Sequence, residues 1–248
     1  MRYFIELSYK GTAYHGWQNQ PNAITVQEVI EKAVGMLLDD QIGIVGAGRT
    51  DTGVHAVHMV AHFDYEGEFD RQQLIYKMNS FLPKDIVIHD IYDVHPEAHA
   101  RFNAVSREYH YRITRKKDAF KIDLCYYFKP ELNVGAMNEA AEMLLHHKNF
   151  KCFARSNTDV KTYNCDIEYA RWEQIGDELR FVIKADRFLR NMVRAIVGTL
   201  LEIGLGKMSL AELDDIIQSK DRSRAGASVP AHGLYLNRIE YPETIRQQ

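Results

Sequence analysis

The stretch Gly46-Ala-Gly-Arg-Thr-Asp-Thr-Gly-Val-His-Ala56 lies between two predicted strands. An apolar run at residues 42–45 precedes it, and an alternating run at residues 57–63 follows it. Its glycines allow the backbone to turn sharply and let a ligand approach closely. Asp51, beside Arg49, is therefore a candidate for ligand contact, and the alternative is an ordinary hairpin loop with a turn-capping aspartate.

The segments around this loop predict a half that mixes helices and strands. Residues 3–9 alternate between two faces, which is typical of a strand with one core face. Thr25 is a predicted helix N-cap, Asp70 caps a second helix, and Leu82-Pro83 ends it. With a strand near 86–91, the order is strand, helix, strand, strand, helix, strand, which is that of the ferredoxin-like split unit.

The second half of the chain shows a similar order of elements with additions. The predicted elements are a strand at 105–114, a strand-turn insertion at 115–128, a helix at 134–146, strands at about 163–173 and 179–185, helices at about 187–203 and 209–219, and a strand near 234–240. We therefore predict an α+β protein with ferredoxin-like halves at residues 1–103 and 104–248.

Composition limits the class of protein. The 248 residues are 46% apolar and 26% charged, which supports a sizeable core and is typical of a soluble protein. No apolar run reaches the length of a bilayer span, and the N-terminal segment is interpreted as a strand rather than a signal peptide. The three cysteines, Cys125, Cys152 and Cys165, are widely spaced, form no metal pattern and favour a reducing cytoplasm.

The net charge of −3 does not exclude a nucleic-acid partner, because phosphate groups need only a local basic surface. Two groups of cations are candidates for such a surface, and the alternative is that they are solvated loops. These cations are Arg115, Lys116, Lys117 and Lys121 in one group, and Lys148, Lys151 and Arg155 in the other.

Several segments that occur in order along the chain resemble the tRNA pseudouridine synthase A family. They are Tyr14-x-Gly16-Trp17-Gln18-x-Gln20, Thr25-Val26-Gln27, Gly48-Arg49-Thr50-Asp51-x-Gly53-Val54-His55, Leu82-Pro83-x-Asp85-Ile86, His99-Ala100-Arg101-Phe102, Arg107-x-Tyr109-x-Tyr111, Phe188-Leu189-x-x-Met192-Val193-Arg194-x-Ile196-Val197-Gly198 and His232-Gly233-Leu234-Tyr235-Leu236. Thr52 departs from the family's usual alanine, and Val229-Pro230-Ala231 departs from its Ala-Pro-Pro. Neither departure touches the chemistry that the resemblance implies.

The resemblance implies two ferredoxin-like halves that form one continuous mixed and antiparallel sheet, with helices on one side and a central cleft. It implies an isomerase that converts uridine to pseudouridine in the anticodon stem-loop of tRNA, at positions 38, 39 and 40, without a cofactor or a metal. It also implies a homodimer with one tRNA lying across both subunits. Action on neighbouring nucleotides indicates that RNA shape is recognised more than base edges.

Asp51 is the candidate nucleophile. The reaction breaks the bond from ribose to uracil N1 and rebuilds it at C5, and an ionised carboxylate is able to attack and to leave again. Three routes stay open, which are attack on ribose C1′, abstraction of the C2′ proton and addition to uracil C6. A turn-capping role is the alternative for this residue.

Arg194 is predicted on a helix, across from its apolar face and on the same side as Arg187 and Arg190. From there its guanidinium is expected to reach a cleft, keep the Asp51 carboxylate ionised and lower the pKa of Asp51. The alternative is a solvated basic helix face. The apolar residues that also lie along this side predict a helix that is covered on both sides.

Tyr109, Arg49 and Arg101 complete the candidate substrate-binding residues. Tyr109 lies on a strand with its ring toward the core, where it would stack on a flipped uracil and serve proton transfer at C5, or else act as a core tyrosine. The resemblance gives Arg49 the role of displacing the target base, and the alternatives are a phosphate contact or a surface salt bridge. Arg101 is a further candidate for substrate contact.

The histidines predict no metal site. His58 and His62 share a strand face at about 13 Å by strand rise, which is too far for two ligands of one ion. Trp17 is expected to anchor its loop to the core rather than stack on bases. Two other classes of function stay as alternatives: a non-catalytic RNA-binding module, which would not need Asp51, and a histidine-metal hydrolase, which a chelator would inactivate.

Overall fold

The computed structural model describes residues 1–156 and 160–247. The chain forms two compact units, of which the first holds Met1–Val105 and the residues from Tyr235 onward, and the second holds Ser106–Leu234. Each unit combines strands with helices, which confirms the predicted α+β class. Within the described ranges, no helix has both the length and the apolar character that crossing a membrane requires.

The first unit is built on a mixed sheet. Its elements are β1 (Arg2–Tyr9), α1 (Val26–Leu38), β2 (Val45–Gly46), β3 (His55–Asp64), α2 (Arg71–Phe81), β4 (Ile86–Val94) and β9 (Leu234–Glu240). β1 pairs antiparallel with β3 and β4, and β2 pairs antiparallel with β3. The strands that α1 connects are thus separated by β3, which is the split arrangement predicted from the order of elements.

β9 adds to this sheet in parallel with β3, where His55 lies opposite Tyr235. The last strand therefore clusters with the first unit, whereas the order of elements along the sequence placed it in the half 104–248.

The helices of the first unit begin where side chains cap their free N–H groups. Thr25 accepts a hydrogen bond from the backbone N–H of Glu28 at 3.3 Å, and Asp70 accepts one from Gln73 at 2.9 Å. α2 ends before Leu82-Pro83. Both predicted N-caps and this predicted end are confirmed.

The second unit repeats the split arrangement. Its elements are β5 (Ser106–Thr114), β6 (Tyr126–Tyr127), α3 (Val134–Met143), β7 (Ile167–Ile175), β8 (Glu178–Ala185), α4 (Met192–Gly204) and α5 (Leu210–Ser219). β8 pairs antiparallel with both β5 and β7, so it separates the two strands that α3 connects. At the start of α5, Ser209 and Glu212 form the predicted capping box.

Two predicted boundaries are wrong for identifiable reasons. Residues 42–44 are not a strand, because the N–H and C=O groups of Ile44 bond to the side chains of Glu31 and Gln27 on α1 instead of a neighbouring strand. α4 begins at Met192 rather than near 187, because Asn191 has a left-handed backbone with φ 67° that a helix does not continue through.

Burial in the second unit agrees with two further predictions. α4 is covered on both sides, since eleven of its thirteen residues are buried. The three cysteines are buried, and burial raises the pKa of Cys125 to about 11 and those of Cys152 and Cys165 to about 12. These thiols therefore serve the core as small apolar groups.

Candidate active site

Asp51 lies on the loop between β2 and β3. Its carbonyl accepts a hydrogen bond from Val54 at 3.1 Å across a turn in which Gly53 has φ 78°. That angle is in the region that favours glycine, which explains the glycine at this position. The Asp51 side chain is half-buried, and Arg49, two residues earlier on the same loop, is exposed.

The segment from Gly11 to Trp17 packs against this loop. Trp17 donates its backbone N–H to the carbonyl of Thr50 at 3.3 Å, and Gly53 donates its own to the carbonyl of Tyr14 at 3.4 Å. A Cβ atom on Gly11 would lie 2.0 Å from the carbonyl oxygen of Val54. Only a glycine permits that approach, so the segment and the loop fit together through their backbones.

Trp17 anchors its loop to the core, as predicted. Its side chain is only 2% exposed and lies against Gly46, where an added Cβ atom would meet the indole nitrogen at 2.4 Å. The ring also lies beside that of Tyr9, with centroids 6.1 Å apart. Trp17 is therefore a support for the loop and is not exposed for stacking on a base.

His55 ends the loop and was missed as a structural residue by sequence reasoning. Its side chain is buried, its Nδ1 accepts the N–H of Gly11 at 2.9 Å, and its ring lies 4.6 Å from that of Tyr235. The feature that could have indicated this role is its position as the first residue of β3, where its side chain points into the core. His55 thus ties the end of the loop to the Gly11 segment and to β9.

His58 and His62 serve the fold in the same way. Nδ1 of His58 accepts the N–H of Ile239 at 3.1 Å, and Nδ1 of His62 accepts that of Ala100 at 3.2 Å. Burial lowers the pKa of His62 to about 4, so it is neutral at pH 7. Over the described residues, no group of three or more His, Cys, Asp or Glu side chains is arranged to hold a metal ion.

Arg101 lies on the exposed loop between β4 and β5 in the first unit. Its guanidinium lies 5.7 Å from the ring centroid of Phe102, and its backbone N–H donates to Nδ1 of His99 at 3.1 Å. Phe102 is 75% exposed. This loop therefore presents a cation and an aromatic ring to solvent.

Tyr109 lies on β5 in the second unit, opposite Ile183 of β8. Its ring is half-buried and meets Phe188 edge-on, with centroids 5.1 Å apart and planes at 87°. Tyr111, two residues on, is fully buried and donates its hydroxyl to the carbonyl of Pro230 at 2.9 Å. Tyr109 thus lies on the core side of β5, as predicted, but keeps part of its ring accessible.

Arg194 is the third residue of α4 and is half-buried. Its Nε donates to the carbonyl of Val229 at 2.7 Å, and its own carbonyl accepts the N–H of Val229 at 3.2 Å. The prediction that Arg187 and Arg190 share its helix face is wrong, because both precede the helix. The structure therefore places Tyr109 and Arg194 in the second unit, and Asp51, Arg49 and Arg101 in the first.

A family model described as tRNA pseudouridine synthase matches residues 7–103 and 140–242. These two ranges hold the Asp51 loop and α4, and most of the strands of both units. The match places the chain among the isomerases that make pseudouridine.

Individual relatives narrow this class. A protein named tRNA pseudouridine synthase A from Parabacteroides distasonis is 52% identical to this chain, over 98% of this chain and 97% of the relative. The protein of that name from Porphyromonas gingivalis is 50% identical, over 98% of both chains. The protein of that name from Bacillus subtilis is 40% identical over 97% of this chain and 99% of its own length. The chain belongs to the tRNA pseudouridine synthase A family.

Proposed function

We propose that the protein isomerises uridine to pseudouridine in the anticodon stem-loop of tRNA, at positions 38, 39 and 40, with Asp51 as the nucleophile. The observation that carries the proposal is the half-buried Asp51 side chain on a loop fixed by backbone hydrogen bonds. A fixed carboxylate beside accessible surface is suited to attack a substrate atom and to leave again. Attack on ribose C1′, abstraction of the C2′ proton and addition to uracil C6 are all open to it.

The target uridine is proposed to leave its stack before it reacts. An atom inside a paired stem is out of reach of a catalytic side chain, so an enzyme of this kind flips the nucleotide outward. Arg49 is exposed on the loop of Asp51, which suits the role of displacing the base. Arg101, on its own exposed loop, is proposed as a second contact to the RNA.

Tyr109 and Arg194 are proposed as the substrate-binding residues of the second unit. The accessible part of the Tyr109 ring suits stacking on the uracil, and its hydroxyl suits proton transfer at C5. The Nε of Arg194 donates to the carbonyl of Val229, which restrains the position of the guanidinium. We propose that this guanidinium stabilises an anionic group during the reaction.

The proposed partners are tRNA and a second copy of the chain, with one tRNA lying across the homodimer. The reaction is proposed to need neither a metal nor a cofactor, because the carboxylate supplies the nucleophile. The cytoplasm is the proposed location, since the substrate is tRNA and the three cysteines are unpaired.

The first prediction tests the nucleophile. Asp51→Asn keeps the size of the side chain and removes its ionised form, so we expect pseudouridine formation to fall by at least about 10³-fold while tRNA affinity changes little. Unmodified tRNA is treated with each variant, labelled with carbodiimide and read as reverse-transcriptase stops. Stops one nucleotide 3′ of positions 38, 39 and 40 locate the product at those positions.

Thr52→Ala is the matched control, because Thr52 is an exposed neighbour on the same loop. It is expected to stay as active as the unchanged protein. Full activity of Asp51→Asn would show that another group is the nucleophile, and stops elsewhere in the tRNA would refute the proposed target positions. Binding without any activity in the unchanged protein would favour a non-catalytic RNA-binding module.

A further inference from the structure

A buried pair of hydroxyl groups lies next to Asp51. The phenol oxygen of Tyr9 is 2.8 Å from the hydroxyl oxygen of Thr50, and both side chains are buried. Burying a hydroxyl group costs free energy unless it is hydrogen-bonded, so this bond fixes the direction of the Thr50 side chain. Thr50 stands between Arg49 and Asp51, which are both proposed to act on the substrate.

Tyr9 lies on a strand that is paired on both sides. It is the last residue of β1, where it lies opposite Ala56 of β3 and Ile86 of β4. The pairing of β1 with β3 shifts register between Leu7 and Tyr9. Such irregularities re-aim a side chain near active sites, and here the result is a phenol directed at the loop.

The backbone of Thr50 is held independently of its side chain. Its carbonyl accepts the N–H of Trp17 at 3.3 Å. Gly16, which has φ 88°, approaches the same carbonyl so closely that a Cβ atom would lie 2.4 Å from the oxygen. Thr50 is therefore fixed at its hydroxyl by β1 and at its carbonyl by the Gly16-Trp17 segment.

This double attachment sets the direction of the residues on either side. Arg49 is exposed, Thr50 is 8% exposed and Asp51 is half-buried, so three consecutive side chains occupy three different environments. A rotation of Thr50 would move both neighbours, because they share its backbone. The hydrogen bond between the hydroxyl groups of Tyr9 and Thr50 opposes such a rotation.

We propose that Tyr9 and Thr50 are positioning residues of the reaction, and that their hydrogen bond holds the Asp51 carboxylate in the orientation that its reaction with the uridine requires. The inference rests on the proposed role of Asp51. We expect loss of this hydrogen bond to slow the reaction of the bound tRNA and to leave tRNA binding unchanged. A displacement of about 1 Å in a reacting group costs about 10²-fold in rate, which makes such a pair measurable.

The second prediction follows from this pair. Tyr9→Phe and Thr50→Val each remove one hydroxyl or replace it by a methyl group, and each is expected to lower kcat by about 10- to 100-fold with KM and tRNA affinity unchanged. The double variant is expected to lose no more than either single variant, because both remove the same bond. Thr50→Ser keeps the hydroxyl and is expected to retain most of kcat.

Tyr92→Phe is the matched control for general loss of stability. Tyr92 is a buried tyrosine of the same sheet whose hydroxyl bonds to Glu6, away from the loop. It is expected to lower the thermal midpoint about as much as Tyr9→Phe does and to leave kcat unchanged. Circular dichroism checks that each variant is folded, and Thr50→Ser provides the comparison if Thr50→Val does not fold.

Three results would overturn the inference: an unchanged kcat in folded Tyr9→Phe, a loss that appears in KM instead, or a Thr50→Ser protein as impaired as Thr50→Val. Activity in Asp51→Asn would instead show that the proposed nucleophile is wrong. If Asp51→Asn is inactive and Tyr9→Phe is fully active, the positioning role is refuted and the proposed nucleophile is not. The two failures are therefore distinguishable.

Discussion

His62 illustrates how a residue that suggests chemistry in the sequence serves the fold in the structure. Its imidazole is buried, it accepts a backbone N–H at Nδ1, and its ring lies 4.7 Å from that of His99. A proton on Nδ1 would break that hydrogen bond, and the nearby Arg2 guanidinium also disfavours the charged form. The fold therefore depends on the neutral imidazole.

The third prediction concerns the contribution of His62 to the pH dependence of stability. Burial lowers the pKa of His62 from 6.5 to about 4, so below pH 6.5 the unfolded chain takes up a proton that the folded chain does not. The free energy of unfolding is therefore expected to fall as the pH falls from 6.5 toward 4, by about 2 kcal/mol at pH 5. Urea denaturation at pH 7.5 and at pH 5.0 measures it.

His62→Gln is expected to be less stable at pH 7.5 and to lose most of this pH dependence. His95→Gln is the control, because His95 is exposed. His99 and His110, whose pKa values are also lowered by burial, contribute in the same direction. The same pH dependence in His62→Gln as in the unchanged protein would contradict the assignment.

Only some features of the candidate site follow from the local sequence. The turn at Gly53 and the place of Asp51 on a loop were predictable, because glycine and aspartate favour turns through local backbone preferences. Tyr9 and Thr50 were not, because 41 residues separate them and only the register of β1 against β3 brings them together. Nothing in either neighbouring sequence indicates that contact.

At the scale of elements, the start of α1 connects helix capping to the loop of Asp51. Thr25, which is fully buried, accepts the N–H of Glu28 and donates its hydroxyl to the Asn19 side chain at 2.9 Å. The N–H groups of the first two helical residues, Val26 and Gln27, donate to the carbonyls of Gly16 and Trp17, respectively. The first turn of α1 thus holds the segment that supports the loop.

The fourth prediction follows from this arrangement. Thr25→Ala removes the cap and leaves the N–H of Glu28 without its acceptor, so the free energy of unfolding is expected to fall by about 1 to 2 kcal/mol. Urea denaturation followed by circular dichroism measures the change. Thr25→Ser keeps the capping oxygen and serves as the control, and an equal loss in both variants would show that the methyl group matters rather than the cap.

Elements were predictable where local signals agreed with tertiary contacts. The caps at Thr25, Asp70 and Ser209 are local, and the helices they begin were placed correctly. The start of α4 was not, because residues 187–191 have a helix-like pattern of apolar and basic residues that the left-handed Asn191 overrides. The strand predicted at 42–45 begins only at Val45, because the backbone of Ile44 bonds to side chains of α1.

At the scale of the whole molecule, a net charge of −3 has to be reconciled with a polyanionic substrate. Two exposed cations of the insertion at 115–128 are paired with surface acids: Lys116 with Asp177 at 2.9 Å and Arg115 with Glu131 at 3.5 Å. Exposed pairs of this kind contribute little to stability, so a phosphate group is able to replace the carboxylate at small cost.

The fifth prediction tests this surface. The double variant Lys116→Ala, Lys117→Ala is expected to bind tRNA more weakly at low salt and to reduce the slope of log affinity against log salt by about 2. Lys32→Ala, Lys77→Ala changes the net charge equally on exposed positions of α1 and α2 and is expected to keep the slope. Equal slopes in all three proteins would exclude the insertion as an RNA contact.

The order of elements along the chain predicted the split arrangement of both sheets, because that order is typical of the ferredoxin-like unit. It did not predict that the final strand clusters with the first unit, since nothing in the composition of residues 234–240 selects one neighbouring strand over another.

The buried cysteines have a practical consequence. Because all three thiols are shielded from water and protonated at neutral pH, a maleimide dye added to the native enzyme should meet almost no reactive sulfur. A cysteine introduced at exposed Thr52 would then carry the fluorophore by itself, one residue from the carboxylate. Its emission would report the arrival and departure of RNA in real time, without removing any of the natural thiols.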